Sequence, residues 1–137
     1  MGEIQTDIDE RTRLQMANQL MELFGQWQIS LDDQHSLLGS PDSIKKRHLY
    51  RFGEDQPLPQ DAIVLERAEH LLGIADALRT YFPNSHHARS RFMRTHSKKF
   101  TRRTPLQIMV DDGISGLIRI RSHLDCTYAW DLSGSKA

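Results

Sequence analysis

The chain is expected to be all-α, and three features of its sequence lead there. Apolar residues recur at steps of three and four over long stretches, the period of a helix with one buried face. Alternating runs of β-branched residues, the mark of strands, are missing. Capping residues followed by proline, Ser40-Pro41 and Thr104-Pro105, stand just ahead of apolar-periodic segments, as they do at helix starts. A chain of 137 residues forms one domain or two small lobes sharing a core.

In chain order, residues 1–6 are expected to be disordered. Thr6 or Asp7 caps a first helix whose apolar set is Ile8, Leu14, Ala17, Leu20, Met21 and Phe24. Asp7, Asp9 and Glu10 fall in its first turn, where the helix dipole favours negative charge, and Gly25 is placed to end it. Ser30, with an acid three residues on, starts a short second helix, LDDQHSLL, that stops at Gly39. Ser40-Pro41-Asp42 then opens a third, about Pro41 to Phe52, burying Ile44, Leu49 and Phe52. Ser43, Lys46, Arg47 and Tyr50 face outward, with Lys45 and Arg51 at the flanks. Two short helices joined through a glycine, the second one basic, make a helix-turn-helix pattern. In that arrangement the second helix lies in the DNA major groove. Helical hairpins with no DNA role share the pattern. The candidate DNA contacts are Ser40, Ser43, Lys45, Lys46, Arg47, Tyr50 and Arg51.

Gly53 to Pro59 reads as a linker, and Pro59-Gln60-Asp61 leads into the central helix. There Val64, Ala68, Leu71, Ala75, Leu78 and Phe82 form one continuous stripe, widened by Leu65, Leu72, Ile74, Ala77 and Tyr81. A stripe that broad needs cover on more than one side, so this helix is expected to be the wall shared by the two lobes. Gly73 inside it points to a close helix crossing or a slight bend. After Pro83, Asn84 or Ser85 caps a fifth helix with Ala88, Phe92 and Met93 inward. Ser97 to Arg103 is a basic loop, and Thr104-Pro105 starts a sixth helix that buries Leu106, Ile108 and Met109 and ends at Gly113. A seventh, about Ser115 to Leu124, buries Leu117, Ile118, Ile120 or the stem of Arg121, and Leu124. Tyr128 and Trp130 follow on a tail, either tucked onto the domain or presented to a partner.

Net charge is zero, but it is laid out in blocks. Residues 1–39 hold seven acids and two bases; residues 40–53 hold one acid and four bases. From Ala77 to Val110 there are eight Arg or Lys and no acid. A neutral total gives no general attraction to nucleic acid, so any such binding needs a local patch. The acid-free run is either a solvated face or a site for an acidic or phosphate-bearing partner. The lone Cys126 leaves no intramolecular disulfide and fits a reducing compartment. With no long apolar run and no basic-then-apolar leader, the chain is expected to be cytoplasmic and clear of the membrane. His86, His87 and His96 lack metal-ligand spacing, and no G-x-S-x-G, phosphate loop, dinucleotide turn or H-E-x-x-H occurs. Asp125 beside Cys126 disfavours a thiolate. No catalytic residue, metal or cofactor is assigned, and a binding protein is expected rather than an enzyme.

Taken together, the segments LLGS, LERAEHLLGIADALRTYF, ARSRFMRT, RRTPLQIMV, DDGISGL and RSHLD, in that order, resemble the Xre/MbcA/ParS antitoxins. Residues 62–125 look like their toxin-binding domain, and residues 30–52 like their Xre/Cro-type helix-turn-helix. The resemblance implies a helix-turn-helix region at 1–58 packed on a toxin-binding domain at 59–131, with a disordered tail at 132–137. It also implies a type II antitoxin that covers the active site of an NAD-consuming RES-domain toxin. Such an antitoxin represses its own operon by binding operator DNA, as a homodimer within a larger complex. Candidate toxin contacts are Arg102, Arg103, Asp125, Tyr128, Trp130 and Asp131. The chain departs from the family pattern at Phe92-Met93, usually Trp-Leu, and at Thr101-Arg102, where the loop usually carries glycine. Two other readings stand beside it: a stand-alone helix-turn-helix regulator with no toxin, and an adaptor whose hairpin no longer binds DNA.

Overall fold

Asp9 begins the first helix by accepting the amide of Thr12 on its side chain at 2.8 Å. That bond holds its carboxyl below the usual carboxylate range, so a negative charge sits where the helix dipole favours one. The computed structural model describes residues 8–52 and 56–133, with side chains described as far as Cys126. The expected caps Thr6 and Asp7 lie outside the described residues, and the expectation is corrected: the helix starts at Glu10 with Asp9 as its cap. Helix α1 (Glu10–Gln26) buries Ala17, Leu20, Leu23 and Phe24 and runs one residue past Gly25 to a C-cap at Trp27. Trp27 and Ile29 are buried just beyond it.

Helix α2 (Leu31–Leu37) starts where the sequence places it, with Ser30 Oγ accepting the amide of Asp33 at 3.2 Å. Gly39, at φ +92°, turns the chain out of it. A Cβ at that position would lie 2.7 Å from Ile63 Cγ2, so both the turn and the close approach require glycine.

The third helix expected over Pro41–Phe52 does not form. Ser40 is itself left-handed (φ +48°) instead of capping, residues 42–44 make a turn, and Lys45 is extended. Only a six-residue 3₁₀ helix follows, Lys46–Arg51. The cause is a competing hydrogen bond from α2. His35 Nε2 lies 3.1 Å from the carbonyl of Pro41 and 2.8 Å from that of Ile44. Those carbonyls would accept the amides of Lys45 and His48 in an α-helix; the amide of His48 turns instead to Lys45 O at 2.9 Å. The expected burial survives the change of helix type, with Ile44, Leu49 and Phe52 all inside.

Helix α3 (Ala62–Tyr81) is capped by Asp61, whose Oδ1 accepts the amide of Ile63 at 3.0 Å. Its stripe of Val64, Ala68, Leu71, Ala75 and Leu78 is buried, together with Leu65 and Ile74. The chain packs as two units, residues 1–69 and 70–137, with the division inside α3. In the first unit Arg13 clamps the segment leading into α3: its side chain donates to Leu58 O at 2.7 Å and to Ile8 O at 2.9 Å.

The second unit adds α4 (His86–Arg94), α5 (Pro105–Asp112) and α6 (Ile114–Ser133). Ser85 caps α4 through Ala88 N at 3.1 Å; Met93 is its buried residue, while Ala88 and Phe92 are half-buried. Thr104 and Gln107 exchange side chain-to-backbone bonds at 3.0 and 2.8 Å, closing a capping box with Pro105 in the first turn of α5. Ile108 and Met109 are buried on α5, and Leu117, Ile120 and Leu124 on α6. Ile118, expected inside, is 44% exposed. The expected end of the last helix near Leu124 is also corrected: α6 continues to Ser133, since no glycine or proline stands between Leu124 and Gly134. Among the described residues there are no strands, only isolated bridges at Phe52–Gln56 and Ser97–Arg103, and no helix is long and apolar enough to cross a membrane.

Candidate functional site

Two basic surfaces emerge, one in each unit. In the first unit the segment after Gly39 exposes Ser40, Ser43, Lys45, Lys46, Arg47, Tyr50 and Arg51, all the residues assigned to DNA contact from the sequence. Tyr50 is 64% exposed, with the Arg51 guanidinium 5.9 Å from its ring centre. Lys45, Lys46 and Arg47 line a shallow, open depression of about 480 Å³ together with His35, Pro41, Asp42 and Ile44. Positive charge there is partly countered, since Lys46 Nζ lies 3.0 Å from Asp32 of α2. His48 sits among these bases, and desolvation and then Arg51, Arg47 and Lys45 hold its imidazole below the usual histidine range. Ser43 Oγ donates to Asp61 Oδ2 at 3.1 Å, tying the segment to the start of α3. His35, isolated in the sequence, is the residue that shapes this surface from behind.

In the second unit, the loop between α4 and α5 is built around an anchor not expected from the sequence. Phe100, in the middle of KKFTRR, is buried at 4% exposure. His123 meets its ring edge-on at 5.1 Å between centres, and the Arg119 guanidinium lies 5.5 Å from it. Burial, then the charge of Lys99, lowers the pKa of His123. An apolar ring inside a basic run was the available signal for this anchor. The chain turns back over it through two consecutive left-handed residues, Thr101 (φ +55°) and Arg102 (φ +67°).

The assigned toxin contacts separate here. Arg102 is exposed, whereas Arg103 turns inward and grips Asp112 with both guanidinium branches, at 3.0 and 3.1 Å. The hydrogen bond raises the Arg103 pKa and lowers that of Asp112, so Arg103 serves the loop's own structure. Asp125 is exposed on α6 and lines a small depression with Gly73, Asp76, Ala77, Thr80 and Arg121. The Arg121 guanidinium lies against Gly73 and reaches His70 Nδ1 at 3.2 Å. Tyr128, Trp130 and Asp131 belong to α6 by backbone; their side chains lie outside the described residues. Among the described residues no three His, Cys, Asp or Glu side chains gather closely enough to hold a metal ion.

Neither a family model nor a curated protein sequence matches the chain.

Proposed function

We propose that the chain is the antitoxin of a type II toxin–antitoxin pair. It binds and blocks an NAD-consuming RES-domain toxin and, with it, represses the shared operon. The observation that carries this reading is the ordered run of segments from LLGIADALRTYF through RRTPLQIMV to RSHLD, which resembles the Xre/MbcA/ParS antitoxins. The same segments supply the framework of the second unit: the stripe of α3, the capping box of α5 and the buried face of α6. On this reading the toxin-facing part is the end of α6 from Asp125 onward, with Tyr128 and Trp130 as aromatic anchors and Asp131 as a further carboxylate. Aromatic side chains at an interface centre carry a few kcal/mol each on the order-of-magnitude scale of alanine scans. An NAD-consuming cleft also suits flat rings and carboxylates, because it must hold adenine, nicotinamide and phosphates.

Operator contact on this reading uses the exposed bases from Lys45 to Arg51. A six-residue 3₁₀ helix is too short to lie along a major groove as an α-helix does, so these residues act chiefly on phosphates. That shortness also favours the adaptor reading, in which the chain neutralises a toxin and leaves the operator alone. Co-expression separates the possibilities. The chain is expected to restore growth to cells producing the toxin from the neighbouring reading frame, and a chain truncated after Leu124 is expected to lose that protection while retaining promoter binding.

A further inference from the structure

We propose that the loop Ser97–Arg103 is a phosphate-binding platform for duplex DNA, independent of base sequence and distinct from the Lys45–Arg51 surface. The inference goes beyond the proposed function, which asks nothing of DNA from the second unit. It starts from how the loop is held. Phe100 is sunk into the unit, Ser97 and Arg103 pair through their backbones at 3.3 Å, and Ser97 Oγ caps the amide of Lys99 at 3.2 Å. Arg103 is fastened to Asp112, and Arg119 of α6 donates to the carbonyl of Lys99 at 3.2 Å. These contacts fix the loop's backbone without using the charged ends of Lys98, Lys99 or Arg102.

Lys98, Lys99 and Arg102 are left exposed, and among the described residues none of them has an acidic partner. Arg119, also exposed, brings a fourth positive charge against the same loop. The platform is costly to build. Two consecutive non-glycine residues sit in the left-handed region, where the Cβ crowds the backbone, and strain of that kind collects at binding sites.

Its chemistry points to phosphate rather than to a protein. Protein interface centres are depleted in lysine and enriched in aromatic residues, Met and Arg; here the loop's exposed side chains include two lysines, and its one aromatic ring, Phe100, is already buried. The loop is not a backbone anion nest either. The amides of Phe100, Thr101, Arg102 and Arg103 all donate to carbonyls within the loop, at 3.1, 3.3, 2.7 and 3.0 Å. Recognition therefore rests on side-chain charge, which suits regularly spaced phosphates and carries no base specificity.

The test is the salt dependence of binding to a duplex of arbitrary sequence, which needs neither the operator nor the toxin. Replacing Lys98, Lys99 and Arg102 by alanine is expected to make the slope of log K against log salt shallower by about 2–3, each phosphate contact contributing about 0.9. Lys98→Ala with Lys99→Ala alone, which leaves the left-handed pair intact, is expected to remove about 2 of that slope. No measurable duplex binding by the unaltered chain at about 50 mM salt, or an unchanged slope in the folded double variant, overturns the proposal. An unchanged slope combined with lost protection against the toxin also overturns it and assigns the loop to an acidic protein surface. Failure of toxin neutralisation alone leaves the duplex measurement standing, so the two readings fail separately.

Discussion

The backbone of Gly116 on α6 lies against the main-chain carbonyl of Ile108 on α5: a Cβ at residue 116 would meet that oxygen at 2.2 Å. Gly73 on α3 is crowded too, but by the guanidinium of Arg121, whose Cζ would lie 2.5 Å from an added Cβ. The two glycines look alike in sequence and differ in what must move. A carbonyl inside a helix cannot retreat without disturbing α5, whereas the end of an arginine side chain can swing away. Gly116→Ala is therefore expected to destabilise the second unit by about 3 kcal/mol, in the upper range of overpacking. Gly73→Ala should fall within about 1 kcal/mol of neutral, because improved helix propensity offsets a weakened Arg121–His70 bond. Chemical denaturation of the two variants checks this; equal costs would show that the α5–α6 packing yields.

Thr101 holds a left-handed backbone (φ +55°), and the one side-chain hydrogen bond described for it goes to the adjacent Phe100 carbonyl. Relief of about 1–2 kcal/mol of strain in Thr101→Gly outweighs the roughly 0.5–1 kcal/mol entropic penalty of glycine. A modest rise in melting temperature is expected. A fall would mean that the threonine hydroxyl, which donates to the Phe100 carbonyl, matters more than the strain.

On the first unit, Lys46→Ala with Arg47→Ala should flatten the salt dependence of promoter binding by about one unit for each phosphate that is no longer neutralised. Because Asp32 engages Lys46 at 3.0 Å in an exposed pair, Asp32→Asn is expected to strengthen promoter binding by freeing that charge. Weaker binding by Asp32→Asn, or an unchanged slope in the double variant, would place operator binding elsewhere.

Burial and then Lys99 lower the pKa of His123 from 6.5, so the folded state prefers the neutral imidazole that meets Phe100. The unfolded chain takes up the proton first as pH falls. Stability from this group is thus complete above the unfolded value and is lost as pH drops through the lowered folded value. Melting of the second unit is expected to fall between neutral and mildly acidic pH, and His123→Gln should reduce that dependence. The same fall in the variant would assign it to other groups.

Interactions within a few residues were legible in the sequence. Ser30, Ser85 and Thr104 cap their helices where expected because a cap joins residues three apart. The stripe of α3 was legible for the same reason: burial follows helical period. What could not be read depends on distant partners. The Pro41–Phe52 segment keeps the burial its spacing implies but loses its α-helix to His35, a residue on the preceding helix. The loop's anchor, Phe100, draws its surroundings from Arg119 and His123 on α6. Nor does charge alone tell Arg102 from its neighbour; Asp112 does, by taking Arg103 inward.

Toxin neutralisation is measured most directly by adding the purified chain to the purified product of the neighbouring reading frame and following NAD. NAD loss is expected to stop as the chain reaches stoichiometric equivalence, and the chain alone is expected to consume none. NAD loss continuing at full rate in excess chain would contradict an antitoxin role.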